Sequence, residues 1–183
     1  MQKYIINKEN SALMIIDIQE RLANVMKHRD EVIKNTLHLI DLSKLYDIPI
    51  IVTEQYPKGL GKTVPEITQR LNNYTALEKI TFDCCLDDEI KKTILSLNKT
   101  HLIITGMETH ICVLQTTLSL LQMGYHCHLV CDAVCSRTKQ NWKTGLSLMD
   151  KAGAVITSTE IVLFQILQRA GTEEFKTISK KIK

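Results

Sequence analysis

The chain has 183 residues, of which 44% are hydrophobic and 23% charged, which predicts a single globular domain spanning residues 1–183. The net charge of +3 comes from dispersed lysines and only 5% of residues are aromatic, so composition favours neither a nucleic-acid partner nor a membrane surface. The N-terminus lacks the apolar run of a signal peptide and no segment reaches the roughly 18 apolar residues of a membrane span, which predicts a cytoplasmic protein.

Short apolar runs alternate with segments of helical periodicity along the whole chain. The predicted strands are 12–17, 49–53, 76–79, 101–105, 125–131 and 154–157. The predicted helices are 29–46, 66–71, 87–97, 112–123, 139–151 and 160–169, and a proline- and glycine-containing loop is predicted at 54–65. Repeated strand–helix units predict a parallel sheet with helices on both faces, and such sheets bind ligands beyond the carboxyl ends of their strands.

Three chemically useful residues follow predicted strands. Cys112 begins the helix after the fourth strand, where backbone N–H groups and the helix dipole favour a thiolate, so it is a candidate nucleophile. Asp17 and Lys79 end two other strands, which gathers an acid, a cation and a thiol at one sheet edge. Structural alternatives remain open: Cys112 could be a packed thiol, Asp17 a cap and Lys79 a surface residue.

The sequence resembles the isochorismatase-like cysteine hydrolases along nearly its whole length. The resemblance is carried by LMIIDIQ at 13–19, TEQYPKGLG at 53–61, EKITF at 78–82, GMETHICV at 106–113 and CDAVCSR at 131–137. The block at 53–61 is similar to the branch that contains the isochorismatase-domain-containing proteins. The resemblance implies an α/β fold with three α/β/α layers and a six-stranded, mainly parallel sheet in the order 3-2-1-4-5-6.

The resemblance also implies a mechanism. Asp17 matches the general base, Lys79 the cation beside the thiolate, and Cys112 the nucleophile that forms a covalent acyl-enzyme. Backbone N–H groups of Glu108 and Cys112 match the oxyanion hole, and the Met107–Glu108 peptide is expected to be cis. Lys79 and the helix N-terminus should depress the pKa of the Cys112 thiol, with Asp17 opposing them electrostatically while able to accept the proton.

Other polar and aromatic residues near these blocks are candidates for contact with a small-molecule substrate. They are Gln19, Gln55, Tyr56, Phe82 and His110. His110 also provides the main rival mechanism, because as a general base it would form a Cys/His dyad with Cys112.

We predict no metal and no cofactor. The nicotinamidase branch of the resembled family binds zinc through one Asp and two His after strand two, whereas this chain has Glu54-Gln55-Tyr56 there and no histidine between His38 and His101. The stretch 126–135 contains two histidines and three cysteines. On a strand their side chains would alternate between the two faces, so we interpret them as core residues and not as metal ligands.

The sequence therefore favours a metal-independent cysteine hydrolase of a small amide or related carbonyl compound, with all six cysteines reduced. A catalytically idle, oligomeric binding or scaffolding protein is the alternative. Homo-oligomerisation is expected from the resemblance and from Phe175 and Ile178, which lie outside the predicted sheet domain.

Overall fold

The structure, a computed structural model, describes residues 1–71 and 74–182. One parallel sheet organises the fold. Its strands are β1 (Ser11–Ile16), β2 (Ile50–Gln55), β3 (Leu77–Lys79), β4 (His101–Met107), β5 (His126–Cys135) and β6 (Val155–Thr157). The strand order is β3-β2-β1-β4-β5-β6 and every neighbouring pair is parallel, which confirms the predicted topology.

Helices connect the strands and cover the sheet. They are α1 (Glu20–Ala23), α2 (Arg29–Leu45), α3 (Pro57–Leu60), α4 (Pro65–Thr68), α5 (Asp88–Ser96), α6 (Leu114–Gln122), α7 (Lys139–Ala152), α8 (Thr159–Leu167) and α9 (Glu173–Ser179). Short 3-10 turns occur at Gln2–Tyr4 and Cys84–Leu86, and a π-helical turn at Thr109–Val113 precedes α6. No helix among the described residues is both long and apolar enough to cross a membrane.

The central strand β1 shows why the sheet is sandwiched. All six of its residues are buried, and alternate side chains enter two different cores. Leu13 and Ile15 pack with residues of α2 and α8, whereas Met14 and Ile16 pack with residues of α5 and α6. Burying each of these side chains contributes roughly 1.5–3 kcal/mol, so an unbroken apolar run is stable only between two helical layers.

Three strands and one helix extend further than predicted, and β4 does so by continuing to Met107. β2 continues through Gln55 because residues 53–55 pair with β3, so Glu54 and Gln55 belong to a strand and not to the following loop. β5 continues to Cys135, pairing with β4 after a register shift. The helix after β4 begins at Thr109 in the π-helical turn, not at Cys112. These extensions depend on partner strands and tertiary packing that local periodicity does not report.

The C-terminal segment also corrects an expectation. α9 packs on the domain itself: Ile178 is buried and the Phe175 ring lies 6.2 Å from the Phe164 ring of α8. Phe175 and Ile178 therefore lie against the core, and they no longer support homo-oligomerisation.

Candidate active site

Asp17 lies immediately after β1 with a positive φ of 53°, a conformation in which aspartate is enriched. Its carboxylate is fully buried and held on both oxygens. Thr53 Oγ1 donates to Oδ1 at 2.7 Å, and Lys79 Nζ donates to Oδ2 at 2.7 Å. Because burying an unpaired carboxylate is costly, these two donors offset the burial of the Asp17 side chain.

Lys79 ends β3, and its side chain is completely buried. Besides Asp17, its ammonium group donates to Gln55 Oε1 at 2.7 Å and to the Thr81 carbonyl at 3.2 Å. Burial alone lowers the pKa of Lys79, but the nearby negative charges, led by Asp17, outweigh burial and raise it. The amine therefore stays protonated beside the carboxylate.

Cys112 lies in the π-helical turn and is 5% exposed. Burial and the charge of Asp17 raise the pKa of Cys112, while the charge of Lys79 opposes them. The expected depression of this pKa is therefore wrong for the resting site, because burial outweighs the cation. The resting arrangement is a neutral thiol beside a carboxylate that can accept its proton.

Close contact between β1 and β4 brings the carboxyl ends of these two strands together. Gly106 has a φ of +135°, and a Cβ at this position would lie 2.0 Å from the Ile16 carbonyl oxygen. Only glycine permits this approach, which sets Asp17 of one strand against the cysteine-bearing turn after the other. Gly145 of α7 similarly allows that helix to lie close to the turn, since a Cβ there would be 3.0 Å from the Thr109 carbonyl oxygen.

Glu108 joins the ends of β4 and β5. The Met107–Glu108 peptide is cis, as the resemblance implied. The buried Glu108 carboxylate accepts from the Arg137 backbone N–H at 2.9 Å and from Arg137 Nε at 3.1 and 3.2 Å. The residue whose N–H matches the oxyanion hole is therefore anchored through its own side chain.

Two of the predicted substrate-contacting residues, Gln19 and Gln55, are occupied by protein contacts. The Gln19 amide donates to the carbonyls of Gln55 and Gly61 at 3.0 and 2.7 Å, and its oxygen accepts from the Gln55 N–H at 2.8 Å. The Gln55 side chain accepts from Lys79 and donates to the Ile80 carbonyl at 2.9 Å. These contacts position the strand end and its lysine.

Tyr56 and Phe82 are arranged differently from the glutamines. Each is 54% exposed, and they follow the ends of β2 and β3, where Asp17 and Lys79 meet. Tyr56 has a left-handed φ of 38°, and its ring lies so close to Gly59 that a Cβ there would be 2.5 Å from it. Their exposed apolar surface is available to a ligand.

His110 is held by neighbours on both ring nitrogens. Nδ1 lies 3.0 Å from Ser136 Oγ and Nε2 lies 3.2 Å from Asn141 Nδ2. These contacts engage both nitrogens with residues other than Cys112, which disfavours the Cys/His dyad.

The loop after β2 carries no zinc-type ligand set. Glu54 accepts from the backbone N–H and hydroxyl of Thr63 at 2.7 and 2.8 Å, so its carboxylate fixes the loop. Within residues 1–71 and 74–182, no three His, Cys, Asp or Glu side chains are grouped to hold a metal ion.

Sequence reasoning did not identify Thr53 or Arg137 as parts of this site. Thr53 is the one polar residue within the predicted strand 49–53, and that interruption was the available signal. Arg137 stands in the CDAVCSR block, but its partner Glu108 is 29 residues away. Only the pairing of β4 with β5 brings the two together.

Comparison with known proteins places the chain in a family. The model of the Isochorismatase domain matches residues 11–161. The chain is 36% identical to the secreted isochorismatase effector Isc1 of Phytophthora sojae, with 95% of this chain and 85% of that protein covered. It is 34% identical to isochorismatase domain-containing protein 2 of Xenopus laevis, with 97% and 85% covered. The solved structure of the MAR1 ribonuclease of Caenorhabditis elegans matches with a TM-score of 0.91 at 38% identity, covering 97% of this chain and 92% of that one. These matches show that the chain belongs to the isochorismatase family of hydrolases.

Proposed function

We propose that this protein is a metal-independent cysteine hydrolase that cleaves a small amide or related carbonyl compound. The observation that carries the proposal is the meeting of the buried Cys112 thiol with an Asp17 carboxylate that Lys79 Nζ holds at 2.7 Å. A thiol beside a positioned base is the arrangement that nucleophilic catalysis requires.

In the proposed reaction, Cys112 Sγ attacks the carbonyl carbon while its proton passes to Asp17. The positive charge of Lys79 stabilises negative charge in the cluster as the thiolate forms. The Glu108 and Cys112 N–H groups donate to the oxyanion of the tetrahedral intermediate. Asp17 then returns the proton to the departing amine, and water, deprotonated by the same carboxylate, hydrolyses the acyl-enzyme.

The burial of the thiol supports a compact substrate. Cys112 is 5% exposed, so the reacting carbonyl has to enter without a bulky neighbour group. Tyr56 and Phe82 offer apolar surface beside the strand ends that carry the charged groups. We therefore propose a small, uncharged acyl group as the part of the substrate that reaches Cys112.

The decisive experiment is a panel of small amides assayed for ammonia release, with intact mass spectrometry of the quenched enzyme. We expect turnover of at least one amide and an acyl adduct on Cys112, and loss of both in Cys112→Ser and Asp17→Asn. Turnover that survives Cys112→Ser would overturn the mechanism. Absence of turnover together with an unreactive Cys112 would favour the idle scaffolding alternative.

RNA hydrolysis is the second candidate, favoured by the name of the Caenorhabditis elegans neighbour, a MAR1 ribonuclease at 38% identity. The site gives it less support, because a buried thiol–carboxylate pair suits attack on carbon and the net charge of only +3 offers little attraction for phosphates. Incubation of single-stranded RNA with wild type and Cys112→Ser distinguishes the two: we expect no cleavage by either. Cleavage that requires Cys112 would favour the ribonuclease.

We also propose that the protein is cytoplasmic and that its copies associate with one another. A relative at 36% identity is named a secreted effector, so membership of the family does not fix the location. Fractionation of the source cells, with the protein detected by an antibody, tests the location. Detection of the protein only outside the cells would contradict a cytoplasmic location.

A further inference from the structure

A second thiol, that of Cys84, lies close to the Asp17 carboxylate. Cys84 is fully buried at the start of the 3-10 turn Cys84–Leu86. Its Sγ lies 4.0 Å from Thr53 Oγ1, and that hydroxyl donates to Asp17 Oδ1 at 2.7 Å. The Thr53 hydroxyl group therefore links Cys84 to the carboxylate that lies beside Cys112.

The turn that carries Cys84 is also attached to the helix that follows Cys112. The Cys84 backbone N–H donates to Thr116 Oγ1 at 3.0 Å. Thr116 stands four residues after Cys112, and residues at that spacing lie on the same helix face. Cys84 and Cys112 both lie near Asp17 and near each other, since Asp17 and Cys84 are both among the groups that act on the Cys112 thiol, and both cysteines belong to the same buried core.

Lys79 acts on both thiols. Burial raises the pKa of Cys84 to about 12, and the ammonium of Lys79 is the chief influence that opposes this rise. For Cys112, too, Lys79 is the cation that favours the thiolate. The hydrolytic mechanism uses only Cys112, which leaves a second thiol within the charged cluster without a role.

We propose that Cys84 is a resolving thiol, which captures the oxidised form of Cys112 in an intramolecular disulfide and so switches the hydrolase off reversibly. The inference rests on the proposed role of Cys112 as the activated thiol. The chemical class of the oxidant is a hydroperoxide, with hydrogen peroxide as the simplest member.

The reaction balances in two steps. Cys112 sulfur attacks one peroxide oxygen while Asp17 takes the thiol proton, and that proton leaves with the departing hydroxide as water, giving a sulfenic acid. Cys84 sulfur then attacks the sulfenic sulfur, and the Cys84 proton leaves with the hydroxyl group as a second water. The peroxide is reduced by two electrons and the two thiols are oxidised to one disulfide, which an external dithiol reduces.

Cys85 offers a matched control. It is buried next to Cys84 in the same turn, but its backbone N–H donates to Asp83 Oδ1 at 2.8 Å. Burial, and after it the charge of Asp83, raise the pKa of the Cys85 thiol. Neither Asp17 nor Lys79 is among its partners in these contacts. Cys85→Ser therefore removes a buried thiol of the same turn without removing the proposed resolving group.

The test treats the wild-type chain, Cys84→Ser and Cys85→Ser with limiting hydrogen peroxide, blocks free thiols with iodoacetamide and maps the peptides by mass spectrometry. We expect a Cys84–Cys112 cross-linked peptide in wild type and Cys85→Ser, with loss of Cys112 alkylation that dithiothreitol restores. In Cys84→Ser we expect sulfinic acid on Cys112 and no recovery.

The wild-type result alone decides the proposal, so the test remains valid even if a variant folds poorly. Sulfinic acid on wild-type Cys112 without the cross-link would overturn it, because it would show that Cys84 does not capture the sulfenic acid before further oxidation. If Cys112 still alkylates rapidly before oxidation, the proposed hydrolase survives that failure. If Cys112 reacts with neither reagent, both proposals fall.

Discussion

At the scale of single residues, the buried pair of Asp17 and Lys79 is a chemical device more than a stabilising one. Desolvating two charges costs about as much as their attraction returns, so such pairs contribute little net stability. What the pair provides is a buried carboxylate whose position is fixed by the ammonium group of Lys79 at 2.7 Å. In the proposed mechanism this carboxylate takes the proton of Cys112, which a thiol with a raised pKa does not release readily to water.

Alkylation should single out Cys112 among the six cysteines. Native protein treated briefly with limiting iodoacetamide near neutral pH should be modified first at Cys112, because Asp17 accepts its proton. Lys79→Ala should slow this labelling by at least about tenfold, since the cation that stabilises the thiolate is lost. Peptide mass spectrometry reads both results.

Cys131 is the informative competitor in that experiment. It was expected to be buried, but it is partly exposed, while the other five cysteines are buried. Burial and the charge of Asp132 raise the pKa of Cys131, so exposure alone should not make it react first. Faster labelling of Cys131, or equal labelling of several cysteines, would count against an activated Cys112.

Asp17, Lys79 and Cys112 could be found from the sequence because each follows a strand and the family blocks contain them. Thr53 and Cys84 could not be assigned roles, because their importance comes from side-chain contacts between strands and turns distant along the chain. The direction of the Cys112 pKa was also beyond the sequence. It depends on how completely the thiol is buried, which no local pattern reports.

At the scale of elements, the apolar pattern predicted the strands and helices and the family resemblance implied the strand order, but neither predicted where the strands end. Buried parallel strands are long apolar runs, and β1 and β4 carry that signal clearly. The last residues of β2 and β5 are polar or small, and they are strand only because β3 and β4 supply hydrogen-bond partners. The same polar ends carry Gln55 and lead to Arg137, so the least predictable boundaries are those next to the site.

Replacing Gly106 should reveal how closely β1 and β4 must approach. Gly106→Ala places a Cβ 2.0 Å from the Ile16 carbonyl oxygen at a positive φ, so we expect a loss of roughly 3 kcal/mol or more in unfolding free energy. Gly153→Ala is the control, because Gly153 also has a positive φ but its added Cβ meets no atom within 4 Å. We expect that control to lose only about 1–2 kcal/mol.

Urea unfolding of both glycine variants measures the difference. Equal losses in Gly106→Ala and Gly153→Ala would mean that backbone conformation alone matters, and that the sheet does not depend on the close contact beneath the site.

The hydrogen bonds between the Glu108 carboxylate, which follows β4, and Arg137, which follows β5, should also matter for catalysis. Arg137→Gln removes the guanidinium and leaves a buried carboxylate with fewer donors, at a cost of about 1–3 kcal/mol in stability. Because Glu108 carries a proposed oxyanion donor, kcat should fall more than KM rises.

Lys176→Gln provides the comparison, since it breaks the exposed ion pair with Glu173 and should change stability by less than about 0.5 kcal/mol. Denaturant unfolding and steady-state kinetics on the best amide from the panel give both readings. An Arg137→Gln enzyme with unchanged kcat would show that this anchor does not position the oxyanion site.

At the scale of the whole molecule, the expectation of self-association now rests on an exposed apolar segment that follows β3. Ile80 is 81% exposed, Phe82 54% and Leu86 71%, all within seven residues after β3. Clustered apolar exposure of this kind commonly marks an interface. Light scattering should therefore give a mass above 20.9 kDa, and Ile80→Glu should lower it. A mass near 20.9 kDa at all working concentrations would contradict the expectation.

Three histidines occupy the opposite end of the sheet from the active site. His101 of β4 lies over His126 and His128 of β5, with ring centroids 4.8 and 5.4 Å apart. Both ring nitrogens of His128 are buried without a hydrogen-bond partner among the described residues. Burial, reinforced by His101 and His126, lowers the pKa of His128 from 6.5 to about 3.

This depressed pKa makes stability depend on pH. The unfolded chain binds a proton at His128 below about pH 6.5, whereas the folded chain resists protonation down to about pH 3, so stability is lost as the pH falls through this window. Between pH 7 and pH 5, His128 alone should reduce the unfolding free energy by about 2 kcal/mol.

His128→Leu should remove that loss. The leucine leaves no unpaired ring nitrogen in the core and has nothing to titrate, so the unfolding free energy should change much less between pH 7 and pH 5 than in wild type. His28→Gln is the control, because His28 is exposed and should leave the wild-type pH dependence intact. Urea unfolding at the two pH values measures all three proteins. If His128→Leu keeps the full wild-type pH dependence, the acid sensitivity must come from other groups, and His128 must already be protonated or solvated in the folded chain.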